Sequence, residues 1–358
     1  MRAVVLVGGE GTRLRPLTLA VPKQMLPIAE QPMIERVLGQ LGRHGVDDVV
    51  LSLGYLPHAF VEAYPDGVAA GVRLSYAIEP SPLDTAGAIR FAARSAGIEG
   101  TFVVVNGDVL SDMDLSALLA FHLDRGAEGS ISLHPEEDPS AFGVVPTDDL
   151  GRVKAFVEKP PRGAAPTNLV NAGAYVLESS VLDRVPEGRR VSIERETFPA
   201  MVADGTLYAL ADTAYWLDAG TPEAYLTAHW DLLEGRRPGP PAPDARDSGG
   251  GVWLLGSPEV GGEVRGPALL GDGSRVSPQA VVERSVVGSG CVVERGARVV
   301  RSVLLAGASI AEGATVVGSI VGPGARVGER SEIRPLTVVG GRASVAAGTV
   351  VVGARMPA

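Results

Sequence analysis

Near the start of the chain, Gly8-Gly9-Glu10-Gly11-Thr12-Arg13-Leu14-Arg15-Pro16-Leu17-Thr18 sets three glycines beside two arginines. Glycines let backbone N–H groups approach an anion with no Cβ in the way, and Arg13 and Arg15 add charge that can follow phosphate oxygens. A plain glycine turn would account for Gly8 and Gly9, but it would not ask for two arginines beside them. The segment is not a dinucleotide fingerprint, because Leu14 stands where a third glycine would be, and it is not a P-loop, because no Gly-Lys-Ser/Thr follows. Lysine gives a second clue. Of 32 Lys plus Arg only three are lysines, at 23, 154 and 159. A chain that prefers Arg this strongly would carry Arg at an ordinary surface position, so Lys23 and Lys159 read as compact point charges placed for a purpose.

Some element must hold these residues. Ala3 to Val7, directly before the glycines, reads as a buried strand, as do Val49 to Leu53 and Phe102 to Val105. Between the first two, Met33, Ile34, Val37, Leu38 and Leu41 follow helical spacing, and Leu115, Leu118, Leu119 and Leu123 do so after the third. Alternating strands and helices predict an α/β, Rossmann-like domain with a mostly parallel sheet over residues 1–235. In such sheets the ligand crevice lies at the carboxyl ends of strands, so Gly8-Gly9 and the turn Asn106-Gly107-Asp108 are both placed for a ligand.

Residues 236–251 are crowded with proline and glycine and read as a linker. From 252 to 358 the pattern changes. Val276, Val282, Val287, Val293, Val299, Leu305, Ile310, Val316, Val321, Val327 and Ile333 recur at steps of six with occasional five. That period predicts a left-handed β-helix of hexapeptide repeats; the alternative is a Gly/Val-rich β-sandwich.

The glycine-arginine segment resembles the opening signature of the NDP-sugar pyrophosphorylases, the sugar-1-phosphate nucleotidyltransferases. The resemblance continues through Pro22-Lys23-Gln24-Met25-Leu26-Pro27, Pro82-Leu83-Asp84-Thr85-Ala86-Gly87, Asn106-Gly107-Asp108, Phe142-Gly143-Val144-Val145, Phe156-Val157-Glu158-Lys159-Pro160, Asn171-Ala172-Gly173, Ser192-Ile193-Glu194-Arg195-Glu196 and Trp216-Leu217-Asp218-Ala219-Gly220. Within the family, the segments at 128–131 and 192–196 and the β-helical tail look most like mannose-1-phosphate guanylyltransferases.

The resemblance implies a reaction in which NTP and a sugar 1-phosphate give an NDP-sugar and pyrophosphate, with Mg²⁺ as cofactor and GTP with mannose 1-phosphate as the expected pair. Asp108 and Asp218 are the implied metal ligands. Taken without the resemblance, each aspartate reads more readily as a cap or turn former, with Asp218 just before a helix opened by Thr221 and Pro222. Arg13 and Lys23 are implied for the β- and γ-phosphates, with Gly8, Gly9, Gly11, Thr12, Asp84, Thr85, Gly87 and Asp108 around the nucleotide. Gly143, Glu158, Lys159, Asn171 and Asp218 are implied for the sugar phosphate.

Asp84 departs from the pattern, because guanylyltransferases usually show glycine there. It reads either as a carboxylate for the two adjacent donors of guanine or as a cap for the helix starting near Thr85. Gln24 and Met25 look more like thymidylyltransferases, which keeps glucose 1-phosphate or a cyclitol phosphate with another NTP as an alternative. A silent regulatory paralogue is a further alternative, against which the retained Arg13, Lys23, Asp108 and Asp218 speak. Acyl transfer by the β-helix lacks a base, since residues 252–358 contain no histidine or lysine.

The remaining features bound the setting. A net charge of −10 argues against a nucleic-acid or anionic-membrane partner. One cysteine, Cys291, fits inert packing in a reducing compartment. The N-terminus is too short in apolar residues for a signal peptide, and a cytoplasmic enzyme assembled as a homo-oligomer through its β-helix is expected. His44, His58, His122, His134 and His229 show no metal-ligand spacing and read as structural or exposed residues on helices or loops.

Overall fold

The structure is a computed structural model, and it describes residues 1–357. The chain packs as two compact units that do not follow sequence order. The first comprises Met1–Gly9 and Ile34–Trp216, and the second Glu10–Met33 and Leu217–Ala358.

The first unit is built on a sheet whose centre is parallel. The apolar runs read from the sequence form β1 (Arg2–Leu6), β2 (Asp48–Leu53), β3 (Val72–Ile78) and β4 (Thr101–Asn106), ordered β4-β1-β2-β3. Strands covered on both faces need no alternation of polar residues, and Val4, Val50 and Val104 are buried to within 1% of full exclusion. Beyond β4 the sheet departs from the mostly parallel expectation. β5 (Gly129–Pro135) and β6 (Leu169–Glu178) pair antiparallel, β6 runs antiparallel to β4, and β7 (Leu207–Ala211) runs parallel to β5. The expected helical spacings form α1 (Met33–Arg43) and, following α2 (Asp84–Ser95), α3 (Leu115–Arg125). Leu123, read as part of the apolar face of α3, is 61% exposed instead. Val4, Val104, Ile89, Phe102, Tyr175 and Phe198 belong to one continuous core.

Of the histidines, His122 is buried on α3, and its ring meets Ser130 Oγ at 3.0 Å and Glu178 at 3.2 Å. His134 sits on β5, a strand and not a helix or loop, and stacks on Trp216 at 5.3 Å between centroids.

The second unit contains a left-handed β-helix made of three parallel sheets. Val276, Val293, Ile310 and Val327 recur every 17 residues and pair in register up one side. A coil of 17 residues is two sides of six and one of five, which is why the hexapeptide period slips. The slip also corrects one position: the stacked residue is Leu304, between Val287 and Val321, and not Leu305. Each fully buried Val contributes about 1.5–3 kcal/mol, and repetition of that small term over the stack holds the coils together. Three buried corner serines form a ladder, with Ser302 N–H donating to Ser285 Oγ at 3.1 Å and Ser319 N–H to Ser302 Oγ at 3.2 Å. Cys291 lies in this core, and burial pushes its thiol up to about 12, so it is the inert packing residue expected.

Among the described residues no helix is long and apolar enough to cross a membrane.

Candidate active site

In the first unit the site residues lie along the carboxyl ends of β1 and β4 and the neighbouring antiparallel strands. Leu6 pairs with Asn106, so the Gly8-Gly9 turn and the Asn106-Gly107-Asp108 turn leave the sheet at the same level. Gly107 N–H donates to Leu6 O at 2.9 Å, and a Cβ on Gly107 would lie 2.6 Å from Val7 Cγ1. Only glycine lets the strand end close this tightly, directly before Asp108. Gly173, with φ +75°, approaches Asn106 from the other side, where a Cβ would sit 2.6 Å from its amide nitrogen.

The sugar-phosphate candidates follow on adjacent strands. Gly143 pairs with Glu158, and Val144 pairs with Val170 beside Asn171. Lys159 N–H donates to Phe142 O at 3.0 Å, and its Nζ lies 3.2 Å from Glu158 Oε1. Lys159 takes φ +49°, an uncommon conformation for a non-glycine residue that must be held by its surroundings. A Cβ on Gly143 would meet Phe156 at 2.6 Å and Glu158 Oε2 at 3.0 Å, so glycine here makes room for the Glu158 carboxylate. Asn171 donates from Nδ2 to Tyr175 Oη at 2.9 Å and accepts from Gly173 N–H at 3.0 Å, which shapes the bulge on β6. Trp216 closes this end, donating to Ala172 O at 2.9 Å and meeting Phe142 edge-on at 5.4 Å.

The segment 83–87 is occupied largely with structural bonds. Thr85 Oγ1 donates to Glu194 at 2.8 Å and accepts from Ile193 N–H at 2.8 Å, while Ala86 and Gly87 N–H both donate to Val191 O. A Cβ on Gly87 would lie 2.9 Å from Arg189 O, so this glycine permits close packing. Asp84 has φ +61°, a left-handed position that glycine fills without cost and that aspartate tolerates better than most residues. Its Oδ1 accepts from Thr85 N–H at 2.9 Å and its Oδ2 lies 4.0 Å from Arg190. Asp84 is thus the first residue of α2, whose N-cap is Leu83 with no side-chain cap bond, so the expected helix-capping role is not what the structure shows; the carboxylate bonds instead to its own neighbour.

Glu79, which no sequence motif marks, also lies beside the Gly8-Gly9 turn. Its Oε2 accepts from Leu83 N–H at 3.0 Å, its Oε1 from Ser52 Oγ at 3.3 Å, and a Cβ on Gly8 would lie 3.3 Å from Oε1. A carboxylate thus borders the first glycine. The available signal was a lone acid at the end of a strand before two prolines, which is too common to single out.

In the second unit Gly11, at φ +61°, opens the tight turn Thr12–Leu14, and Thr18 Oγ1 donates to Gly11 O at 2.8 Å. A Cβ on Gly11 would sit 3.0 Å from Lys23 Cβ, so the turn carrying Arg13 and the turn Lys23–Met25 are packed together. Asp218 accepts from Gly220 N–H at 2.9 Å through Oδ1, and its Oδ2 lies 3.8 Å from Arg13 Nη2. Thr221 then caps α4 (Pro222–Leu233), accepting from Ala224 N–H at 3.2 Å, with Pro222 in the first turn as expected. A cation from one motif and a carboxylate from another therefore meet, although they are about 200 residues apart in sequence.

Gly220 has no positive φ, yet a Cβ there would lie 2.6 Å from Arg13 Nη2 and 2.8 Å from Asp218 Oδ1. Gly220→Ala should therefore fold normally while displacing both side chains. A misplacement of about 1 Å can cost on the order of 100-fold in rate, so a fall in kcat/KM of at least about tenfold with an unchanged melting curve is expected; unchanged kcat/KM would remove Arg13 and Asp218 from the site.

Among the described residues no group of three or more His, Cys, Asp or Glu could hold a metal by itself. The donor set consists of single carboxylates, which suits a hard cation that takes one or two carboxylates and completes its shell with phosphate oxygens and water.

Comparison with known proteins gives the class of this chain, a nucleotidyl transferase with a Rossmann-like sheet. Residues 2–235 match the nucleotidyl transferase family, and residues 264–357 match the GMPPB C-terminal domain. Mannose-1-phosphate guanylyltransferase of Mycobacterium tuberculosis is 43% identical over 300 residues, covering 79% of this chain and 83% of that protein. Mannose-1-phosphate guanylyltransferase 1 of Arabidopsis thaliana is 37% identical over 289 residues, covering 79% and 76%. The crystal structure of HddC from Yersinia pseudotuberculosis is 30% identical with a TM-score of 0.56, covering 64% of this chain and 97% of HddC, and HddC has also been solved in complex with GMP-PN. The chain belongs to the nucleotidyl transferase family, among the enzymes similar to mannose-1-phosphate guanylyltransferases.

Proposed function

We propose that this chain is a Mg²⁺-dependent mannose-1-phosphate guanylyltransferase that joins GTP and mannose 1-phosphate into GDP-mannose and releases pyrophosphate. The observation that carries the substrate choice is the 43% identity with a mannose-1-phosphate guanylyltransferase over most of both chains. The 1-phosphate oxygen attacks the α-phosphorus in line, its bond to phosphorus forms, and the bond from the α-phosphorus to the bridging oxygen breaks as pyrophosphate leaves. A phosphate monoester with a second pKa near 6 is already ionised at neutral pH, so the attack needs no protein base and the work is positioning and charge stabilisation.

In this reading Gly8, Gly9, Gly11 and Thr12 admit the triphosphate, and Arg13 and Lys23 hold its β- and γ-phosphates. Lys159 holds the sugar phosphate, Glu158 and Asn171 accept from or donate to the sugar hydroxyls, and Gly143 leaves room for them. Asp108 and Asp218 would hold Mg²⁺, which when bound neutralises phosphate charge. We further propose 1–235 as the catalytic segment, 236–251 as its connection to residues 252–358, and assembly of copies through the β-helix, whose last coil exposes Val350 and Val352.

The test is pyrophosphate release with Mg²⁺ over a matrix of NTPs against sugar 1-phosphates. GTP with mannose 1-phosphate should be the fastest pair. If dTTP or ATP with glucose 1-phosphate turns over more than about tenfold faster, a difference of about 1.4 kcal/mol, the guanylyl assignment fails.

A further inference from the structure

The segment that carries Arg13 and Lys23 rests on the β-helix. Between the short strands Pro27–Ile28 and Gln31–Pro32 the chain turns through Ala29 and Glu30, at φ +48° and +69°. Two-residue turns of this kind favour Asn-Gly, because both positions need positive φ. Ala-Glu has no such preference, so the shape must be held from outside. Glu30 supplies the hold: Oε2 accepts from Ser289 N–H at 2.8 Å and from Ser289 Oγ. Gly288 makes the seat, since a Cβ there would lie 2.8 Å from Glu30 Oε1. Tyr225 Oη on α4 donates to Pro27 O at the base of the same hairpin. At the other end of the segment, a Cβ on Gly340 would lie 3.0 Å from Pro16 Cγ. Arg13 and Lys23 thus occur in a stretch pinned on two different coils.

We propose that Glu30 is a positioning residue: by clasping Ser289 it makes the β-helix the platform that fixes Arg13 and Lys23 for the triphosphate. This rests on the function proposed above. The clasp preorganises the cations, so its loss falls on triphosphate affinity before it falls on sugar-phosphate affinity.

Glu30→Ala in the full chain should raise KM for GTP roughly tenfold, the scale of lost preorganisation, with KM for mannose 1-phosphate within about twofold. Ser289→Ala should shift KM for GTP in the same direction, and the double variant should be no worse than Glu30→Ala, as expected of partners in one interaction. Amide hydrogen exchange supplies a readout independent of turnover: exchange should rise within residues 12–30 and stay unchanged in β4 and the β-helix core. Unaltered KM for GTP, equal rises in both KM values, additive single effects, or faster exchange across the whole chain would each overturn the proposal. Absence of turnover in the unaltered chain would instead sink the proposed function, and the exchange measurement would still decide the clasp.

Discussion

Asp108→Asn and Asp218→Asn should each lower kcat by at least about 100-fold, the scale seen when one preorganised electrostatic group is lost. The substitution removes a charge but keeps an acceptor oxygen. At Asp218 that oxygen can still receive the Gly220 N–H, so the turn before α4 has no reason to change shape. At position 108 the turn is set by the Gly107 N–H to Leu6 O bond and by the tight approach of Gly107 to Val7, neither of which uses the carboxylate. Melting midpoints should therefore agree with the unaltered chain within about 2 °C, less than about 1 kcal/mol for a chain of this size. Higher Mg²⁺ should recover part of the rate if the loss lies in metal affinity. Turnover like that of the unaltered enzyme in either variant would show that the metal ligands lie elsewhere.

Lys23→Ala should cost about as much, on the order of 100-fold in kcat/KM for the nucleotide, because a charge facing the leaving pyrophosphate is stabilising mainly as charge develops there. Lys23→Arg is the sharper variant. A guanidinium keeps the charge but is planar and wider than an ammonium, so it cannot reproduce a compact point charge. Arg at 23 should recover no more than about a tenth of the lost activity, despite the preference for Arg elsewhere in the chain. Full activity in Lys23→Arg, measured as initial rates of pyrophosphate release, would contradict a point-charge role and return Lys23 to the class of solvated surface cations.

Much of this arrangement was readable from residue types. The apolar runs of β1, β2 and β4 are long enough to be unambiguous, and glycines at their ends marked the turns that hold Gly8, Gly9 and Asp108. The outer part of the antiparallel flank was not readable, because Gly143–Val144 and Val157–Glu158 are two-residue strands that show no period. The β-helix was plain from its six-residue repeat, yet the assignment of Leu305 failed by one residue because a five-residue side shifts the register to Leu304. Asp84 could be read only as a side chain from the sequence; its φ of +61° explains why glycine is usual at this position. The packing of Glu10–Met33 with Leu217–Ala358 was invisible for a different reason. Its contacts join residues far apart in sequence, such as Glu30 and Ser289 across 259 residues, and neither of these belongs to a periodic pattern.

This chain is proposed to couple GTP to mannose 1-phosphate. The most direct measurement incubates the full-length protein with GTP, mannose 1-phosphate and Mg²⁺ and quantifies GDP-mannose and pyrophosphate together by anion-exchange chromatography. Equal amounts of the two products, with neither formed when mannose 1-phosphate or Mg²⁺ is omitted, are predicted. Pyrophosphate without GDP-mannose, or neither product under any of these conditions, would contradict it.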